Sequence, residues 1–266
     1  MQKGIIDFHA HAFPDEVAAS AIPYLEEEGD VKAIHDGRVG SLLSLMDRDG
    51  VEKSVICSIA TRPTQFKAIL DWSRQIRSDR IIPFPSFHPT DPDILEHISM
   101  IRAEGFKGIK MHPYYQQFFL DDVTLYPAYE KISELGLILV MHTGFDIAFP
   151  RIRHCDPQQI LNVLTRFPDL KMVTTHLGAW QQWGEVEDLL AGRKIYMDIS
   201  YTLDQIDTQT ARRIILQHPR EYILFGTDSP WSGARATYQN LARLELGSEL
   251  ERCILRENGL ALLESA

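Results

Sequence analysis

Eight short runs rich in β-branched and aromatic residues punctuate this 266-residue sequence, and their spacing limits its fold more than any other feature. They are GIIDFHAH (4–11), KSVICSIA (53–60), IIPFPSF (81–87), FKGIKMH (106–112), LILVMHT (137–143), KMVTTHL (171–177), KIYMDIS (194–200) and YILFGTD (222–228). Between them lie amphipathic segments of helical period, among them 41–50, 65–76, 93–105, 126–136, 157–168 and 209–219, most closing near Gly or Pro as helices do. Unbroken alternation of this kind demands parallel strands joined by helical crossovers. Eight is the count at which such a sheet closes on itself, so the expected fold is α/β, a (β/α)8 TIM barrel formed as a single domain over residues 1–266. The sequence has neither a glycine-rich phosphate loop after strand 1 nor a Walker sequence, which removes open nucleotide-binding sheets. Residues 12–38 are too long for a minimal strand-to-helix loop and are expected to form a partial lid over the barrel mouth. The tail from Ser232 to Ala266 reads as one or two terminal helices.

Charge and cysteine usage narrow the setting. A net charge of −10 repels nucleic-acid phosphates and anionic lipid headgroups. No apolar run approaches the ~18 residues of a membrane span, and the first strand pattern begins after three residues with no export signal before it. Cys57, Cys155 and Cys253 are widely spaced and odd in number, which argues against a disulfide framework. The expected partner is a small-molecule substrate, with no nucleic acid and no membrane, and the expected location is cytoplasmic.

Several apolar runs end in polar groups that a barrel interior does not tolerate without a reason. His9 and His11 close strand 1, and their i, i+2 spacing on a strand puts both rings on one face. His142 closes strand 5, His176 strand 6 and Asp228 strand 8. Any one of these histidines, taken alone, is more often a hydrogen-bonded structural residue than a ligand. Together they reach the carboxyl rim, where barrel enzymes build their sites, with donor types that suit zinc, iron or manganese.

HAH in strand 1 followed by MHTG, THLG and FGTDSPW resembles the amidohydrolase superfamily, specifically its amidohydrolase-related branch, and the resemblance extends to the closing ILRENGLALL with Asn258. That branch is similar to aminocarboxymuconate semialdehyde decarboxylases, resorcylate-type decarboxylases, and lactone and amide hydrolases. The resemblance implies that His9, His11 and His142 are imidazole ligands of a divalent metal. Asp228 would be a ligand or lie beside the ion, and His176 would touch a second ion or the substrate. Zinc is the first expectation, with manganese and iron as alternatives and one or two ions. An ion so held lowers its bound water's pKa from ~15.7 to about 7. Asp228 then serves as the proton acceptor, and His176 polarises a carbonyl or stabilises an oxyanion.

Strand 4 leaves two candidates, because a period of two places Lys110 and His112 on the same side. Lys110 stands where some relatives carry a carboxylated, metal-bridging lysine; a salt bridge to Asp7 or Asp198 is its structural alternative. His112, Tyr114 and Trp231 are substrate-contact candidates, and Arg62 after strand 2 is a candidate clamp for a substrate carboxylate. Arg151, Arg153 and His154 form a basic patch that would suit an anionic substrate or a subunit contact. His35, His88, His97 and His218 are expected to be structural.

These readings converge on a metal-dependent hydrolase that cleaves an amide, ester or lactone bond of a small anionic substrate. A metal-dependent non-oxidative decarboxylase is the alternative, in which Arg62 matters more, and a non-catalytic binding barrel is a third. The amphipathic carboxyl-terminal helix is a candidate contact for a homo-oligomer.

Overall fold

The computed structural model of the chain describes residues 4–266. All eight expected strands form: β1 (Ile5–Ala10), β2 (Val51–Cys57), β3 (Ile81–Phe84), β4 (Gly108–Met111), β5 (Ile138–Met141), β6 (Lys171–Thr174), β7 (Tyr196–Asp198) and β8 (Ile223–Leu224). They pair in parallel in the orders β1-β2-β3 and β4-β5-β6-β7-β8. Isolated backbone contacts, rather than ladders, join the two sheets into the TIM barrel. Lys110 N–H donates to Pro85 O at 3.0 Å between β3 and β4, and Phe8 N–H to Phe225 O at 2.8 Å between β1 and β8. Pro83 removes a ladder donor inside β3 and Pro85 follows it directly without one, which accounts for its short pairing.

The helical segments expected from the sequence all form, as α2 (Val39–Asp49), α3 (Phe66–Ile76), α4 (Ile94–Ala103), α5 (Tyr126–Glu134), α6 (Pro157–Arg166) and α8 (Thr208–Gln217). Two more are present: α1 (Asp15–Gly29) and α7 (Trp183–Leu189). The tail forms α9 (Ala234–Ala242) and a continuous helical stretch in which α10 (Ser248–Arg252) passes through a π-helical turn at Cys253–Glu257 into α11 (Asn258–Glu264).

Side chains alternate about the barrel wall. Ile138 and Val140 of β5 point into the interior with Val55, Phe84 and Leu224, whereas Leu139 and Met141 face the helical layer. The bottom of the barrel is closed by the terminal helix, whose Leu262 and Leu263 join the interior cluster. At Gly259 a Cβ would stand 3.0 Å from Ile6 Cγ2, so the missing side chain permits this close seat. The apolar face that the sequence offered as an oligomer contact is thus covered by the chain's own barrel. Asn258 donates to Arg220 O and Ile223 O, both at 2.7 Å, and ties this helix to the start of β8. Cys57, Cys155 and Cys253 are free and buried. Among the described residues no helix is long and apolar enough to cross a membrane.

Candidate metal centre

A cavity of about 340 Å³ opens at the carboxyl ends of the strands, and His9, His11, Lys110, His112, His142, His176, Asp228 and Trp231 all line it. Local backbone irregularities aim these groups inward. In β1 the register with β2 slips between Asp7 and Ala10. A one-residue slip exchanges the faces of a strand, so His9 and His11 reach the same interior that Ile6 and Phe8 occupy below them. His112 and His142 need no such device, since each continues the inward parity of its strand. His176, Leu177 and Asp228 adopt left-handed conformations with φ of 60°, 54° and 62°. Such backbone costs about 1–3 kcal/mol per residue and persists where surrounding contacts enforce it. In the MHTG motif, Gly144 has φ 86° and a Cβ there would lie 2.0 Å from Trp180 N, so only glycine lets the β5 and β6 loops close beside the site.

Hydrogen bonds fix which nitrogen of each ring is free. A carbonyl oxygen only accepts, so the facing imidazole nitrogen carries the hydrogen. His11 Nδ1 donates to Cys57 O at 2.8 Å, His176 Nδ1 to Ser200 O at 2.9 Å and His142 Nε2 to Phe145 O at 3.1 Å. His9 Nδ1 likewise donates to Asp198 Oδ2 at 3.1 Å. The opposite nitrogens are left as lone pairs, and they face one another: His9 Nε2 and His11 Nε2 are 3.2 Å apart, as are His176 Nε2 and His142 Nδ1. Asp228 Oδ1 lies 3.3 Å from His9 Nε2 and 3.1 Å from His11 Nε2. Lone pairs and a carboxylate crowded at one floor repel unless donors or a cation stand among them, and Lys110 Nζ, 3.2 Å from His9 Nε2, reaches only one of the four facing nitrogens. His9, His11 and Asp228 meet the spacing of metal ligands, with donor atoms within 4.8 Å of one another.

Burial governs the protonation of the site. It pushes His9 down to about 4, helped by Lys110, and pushes His112 and His142 well below the usual imidazole range. Burial alone would raise the carboxyls of Asp198 and Asp228, but the surrounding donors together outweigh it: His9, His176 and Ser200 hold Asp198 at about 2, and His9, His11 and His176 hold Asp228 well below the carboxylate range. The depressed imidazoles set a pH dependence. Unfolded histidines titrate near 6.5 and these folded ones lower, so below pH 6.5 the unfolded chain binds more protons and stability falls as pH falls. Asp7, raised to about 7 by burial, opposes this, but it is one group against the three site histidines, and His35, His88 and His218, also lowered by burial, act in the same direction as those three. Metal-free protein should therefore lose about 2 kcal/mol between pH 7 and 5.5 in urea titrations, and a flat or rising stability over that window would contradict the assignment.

Asp198 orients His9 through Nδ1 while accepting backbone N–H bonds from His176 at 3.1 Å and Ser200 at 3.0 Å. Partners of this kind fix the tautomer and direction of a ligand ring. Asp198→Asn should weaken metal affinity about 10- to 100-fold, read by competition with a fluorescent chelator; unchanged affinity would remove the orienting role.

Lys110 is fully buried, and its Nζ donates to His9 Nε2 at 3.2 Å. Neither alternative salt bridge forms, since Asp7 binds Thr227 and Asp198 binds His9. Arg62 and Tyr114, expected at the substrate, do not line the cavity. Arg62 is exposed, and its backbone N–H donates to Gln65 Oε1 as α3 begins. Tyr114 is buried behind the site, donating to Ile152 O at 2.5 Å with its ring edge against His142. The basic patch is committed elsewhere: Arg153 pairs with Asp156 and Glu185, Arg151 donates to Gln181 and stacks over Phe145, and His154 donates to Phe118 O. His218 donates to Ile195 O, His97 pairs with Asp91 and stacks on Phe66, His35 bonds Ser229 and His88 bonds Thr90.

Three participants escaped the sequence reading as site residues. Asp198 and Ser200 close strand 7 as His142 closes strand 5, so the same criterion, polar groups ending an apolar run, would have found them. Asp146 sits in the loop after β5, with Oδ2 3.3 Å from His112 Nε2, and no local pattern marks it.

The family model described as Amidohydrolase matches residues 6–264. No curated protein sequence matches the chain. Among solved structures, the chain is similar to an uncharacterized TIM-barrel protein from Bordetella bronchiseptica (TM-score 0.79, 20% identity, covering 98% of this chain and 99% of that one). It is also similar to a dihydroxybenzoic acid decarboxylase from Polaromonas with bound manganese and the inhibitor 2-nitroresorcinol (TM-score 0.69, 16% identity, 99% and 97%). A third is a putative 2-pyrone-4,6-dicarboxylic acid hydrolase from Pseudomonas putida (TM-score 0.67, 14% identity, 100% and 99%).

Proposed function

This chain belongs to the amidohydrolase family, and from that premise we propose that it is a metal-dependent hydrolase that cleaves an amide, ester or lactone bond. The observation that carries the reading is the cavity floor, where imidazole lone pairs and the Asp228 carboxylate converge with tautomers fixed from behind. Their nitrogen and oxygen donors fit a divalent cation, zinc first, with manganese and iron as alternatives. When bound, such an ion supplies acidified water and a polarised carbonyl.

His9 and His11 would hold the ion beside Asp228 in this reading, with His142, whose Nδ1 faces His176 and which clusters with His112 and Asp146, as the further imidazole the family resemblance implies. Asp198, Cys57 O and Phe145 O keep the facing nitrogens of His9, His11 and His142 free of hydrogen. Asp228 takes the proton of the attacking water on its free carboxylate oxygen and returns it to the leaving group. His176 turns a lone pair to the cavity, because its Nδ1 hydrogen is engaged by Ser200 O. It is therefore a ligand, or the base for a second proton, in place of the oxyanion donor that its position alone suggested. Lys110, whose Nζ reaches the cavity floor beside His9 Nε2, would donate to a substrate oxygen there as an ammonium, or would be a further metal ligand if carboxylated. His112, held by Asp146, and Trp231 flank the substrate.

Non-oxidative decarboxylation is the second reading, and Lys110 favours it, because a buried ammonium at the floor can accompany a substrate carboxylate. Hydrolysis ranks above it because Arg62, the residue that decarboxylation would call on, stands outside the cavity. The deciding experiment pairs elemental analysis of protein purified without added metal with assays of lactones, esters and amides, and of CO2 release from aromatic acids. Bound metal with carbonyl hydrolysis supports the reading; CO2 release without hydrolysis transfers the assignment to decarboxylation; and protein that takes up no metal after soaking sinks both.

A further inference from the structure

We propose that the substrate of this site carries an uncharged, apolar body, a hydrophobic acyl or aryl group, next to the bond that is cleaved; the inference rests on the metal-dependent reading above. The cavity changes character from floor to mouth. Its floor is polar, but the space above is walled by three apolar surfaces: Val17 and Leu25 of α1, Ile69 and Trp72 of α3, and Ile147 with Ala148 in the loop after β5. Two of these form an apolar rim in solvent, Val17 at 45% and Ile147 at 40% exposure. Apolar groups left open around a concave site mark a surface that a ligand covers.

The charges point the same way. Among the described residues no arginine lines the cavity, and Lys110 is its one basic aliphatic side chain, buried at the floor beside His9. Asp146, by contrast, presents a carboxylate at the wall, 3.3 Å from His112 Nε2. A substrate with a carboxylate on its far end would bring that charge to apolar walls with no cation to receive it, and desolvation opposes this. The arginines and the histidine of the patch after β5, which the sequence offered for an anionic substrate, make their own ion pairs, stacking contact and backbone bond instead.

Hydroxamic acids grip protein-bound divalent ions through one end, so their tails report on the walls. Metal-loaded full-length protein, its metal content verified, would be titrated by calorimetry with acetohydroxamate, butano-, hexano- and octanohydroxamate, and with the monohydroxamate of succinic acid, whose carboxylate ends a tail of butanoyl length. Affinity should rise about threefold to fourfold per methylene until the cavity fills. The succinyl compound should bind at least about tenfold more weakly than butanohydroxamate. A flat alkyl series, or a carboxylated tail that binds as well as its alkyl counterpart while acetohydroxamate still binds, overturns the inference and leaves the metal site standing. Protein that takes up no metal, or loaded protein that binds no hydroxamate, overturns the parent reading and the inference with it.

Discussion

Asp228→Asn should lower turnover by about a thousandfold while leaving much of the bound metal in place. Asparagine keeps the shape of the side chain and one oxygen near His9 and His11, and the backbone bond from Asp228 N–H to His9 O, 2.7 Å long, is untouched. What is lost is a carboxylate that accepts a proton. The folded environment keeps that carboxyl ionised across the physiological range, since His9 and His11 pull it well below its ordinary pKa against the effect of burial. Positioned proton transfer contributes roughly 10²- to 10⁴-fold, so a deficit in the middle of that range is expected in kcat, with a smaller change in KM. Steady-state kinetics beside metal analysis of the same preparation would check it. A variant that keeps full turnover removes Asp228 from proton transfer. A variant that loses its metal along with turnover makes the residue primarily a ligand. A barrel that only binds would show no turnover to lose, and its affinity for ligand would survive the change.

Most of the fold could be read from the sequence because the barrel repeats one local rule. Apolar runs of strand length alternate with helical patterns, and each strand's identity depends little on distant contacts. What the rule missed has physical causes. Helix α1 buries only Ala18 and Ile22 and carries Pro23 inside it, so it lacks the continuous apolar stripe that betrays a helix. It exists because the acidic Asp15 and Glu16 in its first turn complement the helix dipole and because it covers the cavity mouth. Helix α7 spans Trp183–Leu189 and buries only Val186, too short for a period to show. In the site, His9, His11, His142, His176 and Asp228 were legible as polar ends of apolar runs. Arg62 and Tyr114, expected at the substrate, lie outside the cavity lining, because position after a strand says nothing about the direction of a side chain in a loop. The β1 register slip and the left-handed turns at His176 and Asp228 decide direction, and neither is written in composition or periodicity.

Removing the metal should lower the melting temperature by about 8–16 °C. Without the ion the paired nitrogens of His9 and His11, and of His142 and His176, confront each other across 3.2 Å with only His9 Nε2 receiving a donor among the described residues, from Lys110, and the left-handed backbone at His176 and Asp228 is held in place with no ligand bound. An ion at a free concentration ~1,000 times its dissociation constant stabilises the folded chain by about 4 kcal/mol. In a protein of this size each kcal/mol moves the midpoint by about 2–4 °C. Calorimetric scans at pH 7.5 with chelator, and again after returning zinc or manganese, give the shift directly. His11→Ala supplies the control: its midpoint should scarcely respond to added metal, because one of the closest donors is gone while Cys57 O can find water in the cavity. A chelated protein that melts within 2 °C of the loaded one would mean that the floor is stable on its own. The facing nitrogens would then share protons instead of an ion, and the barrel would have to act without the metal chemistry proposed for it.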